Sequence, residues 1–311
     1  MTEPTSELYR IEGEASAPGP AEGPVLVHGL AGFIDAGHGG RRAVEHLLEH
    51  LEHRLVATFD VDQLLDYRSR RPVMTFEGDH WGSYAQPELA LYEVLDSDGT
   101  PFLLLAGSEP DLQWERFVRA VTELVERFGV RLTVGLDAVP MAVPHTRPFT
   151  LTAHATRPEL VAGHESWFGT VEVPASVSAL LELRLGEAGH DAVGFAAHVP
   201  HYLARMEYPE AARGLLEQLR STSGLAVPVE ELRSAAERMR AEVDEQVGSS
   251  QEVANVVRHL EQQFDQAVET RGRRSLLAAD AENLPTADEI GAELEQFLAE
   301  QGDAEQGGTA T

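Results

Sequence analysis

Residues 100–136, TPFLLLAGSEPDLQWERFVRAVTELVERFGVRLTVGL, constrain the fold more tightly than any other part of the chain. Two short apolar runs bracket a segment of helical period, with Trp114, Phe117, Val118, Val121, Leu124, Val125 and Phe128 on one face. A consecutive apolar run that is too short for a helix reads as a strand covered on both faces. Strand, helix and strand in this order close as a crossover between parallel strands. Ser108 with Asp111 predicts a capping box, Pro110 falls in the first turn, and Gly129 ends the helix.

The same alternation runs along most of the chain. PVLVHGL is a strand, and the glycine-rich LAGFIDAGHGG leads into a helix over about residues 40–53 with Val44, Leu47, Leu48, Leu51 and Leu55 as its stripe. RLVATFDV and DAVGFAAHVPHYL read as further strands, and FTLTAHAT alternates as a strand with one wet face. Val177, Leu180, Leu181 and Leu185 mark a helix that ends near Gly189. Residues 66–95 predict a hairpin insertion, and Asp98-Gly99 a turn between two antiparallel strands. From Tyr208 onward the pattern is helical, with Ser249 and Glu252 capping the third helix. The expected organisation is a flexible N-terminus over 1–20, an α/β core over 21–205, a helical lid over 206–270 and an acidic, largely disordered tail over 271–311. One short helix is expected in that tail, over about 286–300. The fold class is α/β, a mostly parallel sheet with helices on both faces.

Composition removes several function classes. Across 311 residues the formal charge is −28, which repels a phosphate backbone, so no nucleic-acid partner is expected. No apolar run reaches the length of a membrane span, and the expected location is the cytoplasm. There is no cysteine, so disulfides, thiolate nucleophiles and Cys-zinc sites are excluded. There is also no lysine: all basic side chains other than histidine are arginines. That excludes a Walker-type phosphate loop and Schiff-base chemistry, and it argues against ATP-dependent ligation. No G-x-S-x-G nucleophile elbow occurs. His46-x-x-Glu49-His50 matches an inverted zincin pattern, but the helical wheel puts these residues, with His53, opposite the leucine stripe on a wet face. Neither metal nor cofactor is expected.

What remains is positional. Four predicted strands end in unusual loops: HGLAGFIDAG, GSEPD, DAVPMAVPHTRP and HVPHYL. Ligands of open α/β sheets sit outside the carboxyl ends of strands. Asp35, Gly37, Glu109, His145, Thr146, Arg147, His198 and His201 are therefore the ligand-pocket candidates, suited to acid–base work or to an acidic ligand. The alternative is that prolines stiffen these corners and the polar groups cap loop backbone. The glycines before the first helix either offer amides to an anion or allow a tight turn. Arg68, Arg70 and Arg71, with Trp81, are candidates for contacts within an oligomer, the arginines meeting carboxylates of another subunit or of the same chain.

DYRSRRPVMTF, TPFLLLAGSEPDLQWERF, PMAVPHTRP and HVPHYLARMEYPEAARGLLEQL together resemble the actinobacterial branch of the proteasome assembly chaperone family, second-subunit type, over about residues 24–270. The resemblance implies a phosphorylase/hydrolase-like three-layer α/β/α sandwich, a β-hairpin insertion used in oligomer contacts and a C-terminal helical lid over a ligand site. It implies a homo-oligomer, plausibly a trimer, acting as a non-enzymatic chaperone or scaffold. The alternative is a protein that binds, or an enzyme that acts on, a small anionic molecule in a strand-end pocket. Some relatives dock through a terminal hydrophobic-tyrosine motif, and this sequence ends GTAT.

Overall fold

A computed structural model describes residues 8–12, 23–32, 34–164, 167 and 169–269. Most of the expected N-terminal stretch and all of the acidic tail, including the expected helix at 286–300, lie outside the described residues. Ten strands and seven helices follow one another within this range. They are β1 (Tyr9–Ile11), β2 (Val25–Ala31), α1 (Gly39–His50), β3 (His53–Phe59), α2 (Val61–Leu64), β4 (Met74–Glu77), β5 (His80–Tyr84), β6 (Leu89–Leu95), β7 (Pro101–Ser108), α3 (Trp114–Phe128), β8 (Leu132–Met141), β9 (Leu151–Ala155), α4 (Val177–Glu187), β10 (Ala192–Pro200), α5 (Pro209–Ser223), α6 (Glu230–Ser249) and α7 (Gln251–Glu269).

Eight strands form one sheet in the order β1-β3-β6-β7-β2-β8-β10-β9. The central four, β7, β2, β8 and β10, are mutually parallel. The flanking pairs are antiparallel, so the sheet is mixed rather than mostly parallel. Strand alternation divides the core into two layers. Val25, Val27, Leu104, Leu136 and Phe195 pack with α1 and α5, while Leu26, Leu103 and Leu105 pack with α3 and α4. The result is an α/β/α sandwich with α6 and α7 added at its C-terminal end. No described helix is long and apolar enough to cross a membrane.

Local chemistry departs from expectation at three places. α3 starts at Trp114, behind a left-handed Gln113, without a capping side chain. Asp111, expected in a capping box, instead accepts hydrogen bonds from the Asp66 N–H and from Arg70. Ser250, not Ser249, caps α7 by accepting from the Val253 N–H at 3.4 Å. The expected wet face of α1 holds at Glu49, His50 and His53, which are exposed, and fails at His46. His46 is only 1% exposed, and its Nε2–H donates to the Pro228 carbonyl at 3.2 Å. The chain entering α6 covers His46, a non-local contact that a helical wheel cannot show. His50 donates from Nδ1 to the His46 carbonyl and bonds Glu231 through Nε2 at 2.9 Å. Its pKa is raised, first by the His46 carbonyl and then by Glu231. Ligand atoms of His46, Glu49 and His50 lie within 4.8 Å of one another. The ring nitrogens nonetheless serve packing against α6.

Candidate functional site

The PHTRP segment after β8 works as a socket for the last two helices. The His145 N–H donates to the Tyr202 hydroxyl at 2.9 Å, and the His145 ring bridges Tyr202 at Nδ1 and Asp244 of α6 at Nε2, 3.1 Å away. Thr146 donates its hydroxyl proton to Glu261 at 2.5 Å. Arg147 makes a two-pronged contact to Asp265 at 2.7 Å and 2.7 Å, and reaches Glu261 at 3.1 Å. Such fork-to-fork pairs fix geometry as well as charge. Asp265 raises the pKa of Arg147, and Arg147 lowers that of Asp265. Beneath them Met141, Val143 and Phe264 form a small apolar cluster. An Arg147→Ala variant should therefore loosen α7 while leaving the sandwich folded. Trypsin cleavage after Arg258 should accelerate by about tenfold with little change in Tm, because local opening governs such cleavage.

The loops at the other strand ends use their polar groups differently. β2 pairs with β8 only as far as His28 with Gly135, although β2 continues beside β7 and β8 beside β10. The start of α1 enters at that parting, where a β-carbon on Gly40 would stand 2.5 Å from the Leu136 carbonyl oxygen. Asp35 accepts from the Gly40 and Arg41 N–H groups at 2.8 Å and 3.1 Å. Its carboxylate thus occupies the amides that an anion would need. Gly37, at φ 61°, donates to the Ala204 carbonyl and accepts from the Tyr208 N–H. A side chain there would be strained and would meet Tyr208 at 2.6 Å.

Glu109 is buried and accepts from the Val177 N–H at 2.8 Å, tying the start of α4 to the end of β7. His198 bridges the Thr150 and Thr152 hydroxyls at 2.9 Å and 2.8 Å, and burial lowers its pKa to about 4, so it is neutral. His201 is also lowered by burial, and its Nδ1 has no hydrogen-bond partner. His145, Thr146 and Arg147 are thus drawn to α6 and α7, whereas Asp35 and Glu109 lie within electrostatic reach of a residue outside the candidate set, Asp137.

Around Asp137 lies a polar patch on the α4 side of the sheet. The strand register forms one row across it: His28 of β2, Gly135 of β8, Gly194 of β10 and His154 of β9. The two glycines leave the sheet bare there, and the imidazoles lie over them. A β-carbon on Gly135 would stand 2.9 Å from the His28 ring, and one on Gly194 would fall onto the His154 ring. His154 Nδ1 is 2.8 Å from the Glu182 carboxylate of α4. Burial opposes charge on His154, but Glu182 outweighs it and the net pKa is raised. His28 is lowered to about 4, by burial first and by His154 second. Asp137, half-buried in the next row, is raised to about 7, chiefly by burial; His154 opposes the rise, and Asp35, Glu109 and Glu182 add to it.

Of the expected oligomer contacts, Arg70 turns inward. Its guanidinium binds Asp111 and the Ala31 and Glu109 carbonyls, bracing two strand ends from the same chain. Residues 66–70 form a turn rather than a strand, and Arg68 and Arg71 are exposed.

The model of the PAC2 family matches residues 29–247. The chain belongs to the PAC2 family. Among curated proteins none matches this PAC2 chain. A Mycobacterium tuberculosis protein of unknown function, Rv2714, is 52% identical over 87% of this chain and 92% of its own, with a TM-score of 0.83. A Corynebacterium glutamicum protein of unknown function is 40% identical over 85% of this chain and 99% of its own, at 0.82. The Mycobacterium tuberculosis proteasome-assembly chaperone homologue Rv2125 is 25% identical over 75% and 99%, at 0.69.

Proposed function

We propose that this PAC2 chain is a chaperone- or scaffold-like interaction protein that works as a homo-oligomer joined through the β4–β5 hairpin. The observation that carries this reading is the hairpin itself. It forms a two-stranded sheet separate from the main one. Every residue of both strands is exposed. Phe76 packs edge-on against Trp81, yet the two remain 59% and 64% exposed, beside Val73 at 71%. An isolated two-stranded hairpin is marginal in water, and a contiguous apolar patch marks an interaction site. Arg68 and Arg71 stand at its base, and a second copy of a chain with charge −28 offers carboxylates to both. The relative Rv2125 is described as a proteasome-assembly chaperone homologue, which supports a chaperone-like role. The native mass of a hairpin variant tests the reading.

A second reading is favoured by one further observation. A cavity of about 500 Å³ lies between the PHTRPF segment, α5 and α6, and Arg147, Arg213, Arg233 and Arg240 line it against Glu210 and Glu237. Its size suits a small organic molecule, and its cations suit an anion. This second reading makes the protein a binder of small carboxylates or phosphates. Citrate or inorganic phosphate should raise Tm in the wild type, and Arg240→Ala should weaken the response by about fivefold, the loss of one charge-assisted contact. An equal shift in both proteins would remove the reading.

A further inference from the structure

The cavity between the PHTRPF segment, α5 and α6 is graded from its inner to its outer side. Leu203, Ala236 and Val243 line it and are buried, and Phe149 and Met239 are half-buried beside them. A β-carbon on Gly214 would stand 2.2 Å from the Phe149 ring, so a glycine in the middle of α5 lets this apolar wall lie against the helix backbone. Glu237 and Arg240 line the same cavity, are exposed, and stand about one turn apart on α6. Most of the charges here are already matched. Arg147 is held by Glu261 and Asp265, Arg213 by Glu210 and Glu217 at 2.6 Å and 2.5 Å, and Arg233 by Glu217 at 3.5 Å. Three lining groups are left over. Among the described residues neither Glu237 nor Arg240 has an ion-pair or hydrogen-bond partner, and none bonds the Tyr208 hydroxyl. Burial first, and Glu210 second, raise the pKa of Tyr208, so its phenol is a donor at neutral pH. A phenol in such a position ordinarily has an acceptor.

The chemistry of the leftover groups selects the class of ligand. They are one cation, one anion and one neutral donor beside an apolar wall. A plain carboxylate satisfies Arg240 and Tyr208 but faces Glu237, and it enters against the field of a chain with formal charge −28. A plain amine satisfies Glu237 and leaves the other two unmet. A molecule with an ammonium and a carboxylate on one carbon carries no net charge and answers all three. The gradient of burial sets its direction: the charged head lies at the exposed side and an apolar side chain points inward. A volume of about 500 Å³ holds such a molecule, including one with a phenyl group.

We propose that the cavity binds a zwitterionic α-amino acid with an apolar side chain, its carboxylate at Arg240 and Tyr208, its ammonium at Glu237 and its side chain against Phe149 and Met239. Such a ligand is one of the small carboxylates of the second reading above, and its binding here depends on that reading. The walls come from the PHTRPF segment, α5 and α6, so the bound molecule ties an added helix to the sandwich. The hairpin takes no part in it.

The test is a calorimetric titration of the full chain at pH 7 with L-phenylalanine, 3-phenylpropionate and glycine. The wild type should bind phenylalanine about fivefold more tightly than 3-phenylpropionate, which lacks the ammonium, and about tenfold more tightly than glycine, which lacks the side chain. In Glu237→Gln, which keeps the shape of an exposed side chain and removes its charge, the preference for phenylalanine over 3-phenylpropionate should vanish. Tyr208→Phe should weaken both ligands alike, by about threefold. Equal binding of phenylalanine and 3-phenylpropionate by the wild type, or a preference that survives Glu237→Gln, would overturn the amino-acid assignment and leave the carboxylate reading standing. No heat from any of the three, with no thermal shift from citrate or phosphate, would overturn both.

Discussion

At pH 8 the Asp137→Asn variant is expected to be more stable than the wild type. Ordinarily, replacing a polar residue in a core loses stability. Asp137 is the reverse case because its carboxylate is raised from 3.8 to about 7 by burial, against the pull of His154 and with a smaller push from three neighbouring acids. Between those values the folded protein keeps a proton that the unfolded chain has released. Stability therefore falls as pH rises through this window, and the loss is complete above pH 7. The full displacement corresponds to about 4 kcal/mol, and water reaching the half-buried group reduces this to about 2 kcal/mol. Asparagine carries no titrating proton, so the variant escapes the decline. Urea unfolding at pH 8 should show the gain, and at pH 5 less than half of it should remain. A variant less stable than the wild type at pH 8, or a difference that does not change with pH, would show that Asp137 is not held in a raised state.

The strand ends and the elements between them were readable because each rests on local pattern. The run FLLLA, the stripe from Trp114 to Phe128 and the stop at Gly129 appear as β7, α3 and its left-handed terminus. The flanking antiparallel strands were less readable as topology, since RLVATFDV looks the same whether its neighbour runs parallel or antiparallel. The candidate site was read only in part. His145, Thr146 and Arg147 were singled out by their proline-rich setting, but their partners are Asp244, Glu261 and Asp265, about a hundred residues later. No spacing rule spans that distance, so the latch to α6 and α7 is not legible in the sequence, whereas the pocket wall is, since the same three residues line the cavity beside α5 and α6.

Asp137, His154, Glu182 and His28 were missed for a related reason. Each is a lone titratable residue, and only the register of β2, β8, β10 and β9 assembles them. A signal did exist. VLVHGLA and LTVGLDAV each interrupt a buried strand with one ionisable side chain, and a polar residue in such a run needs a reason.

The second large effect concerns the hairpin. Phe76 and Trp81 touch each other and little else of the chain, so a Phe76→Ser, Trp81→Ser double variant should barely alter the stability of the sandwich. It should alter assembly severely. Aromatic anchors dominate interface energy, and losing two per copy costs on the order of 4 kcal/mol, about a thousandfold in dissociation constant. Arg70 belongs to the body of the same chain and is not part of this effect. The direct test is the native mass of the full chain, by sedimentation equilibrium, for the wild type and for the double variant. The wild type should be a small multiple of 33.9 kDa and the double variant a folded monomer of the same Tm. A monomeric wild type, or a variant that keeps the wild-type mass, would contradict assembly through β4 and β5.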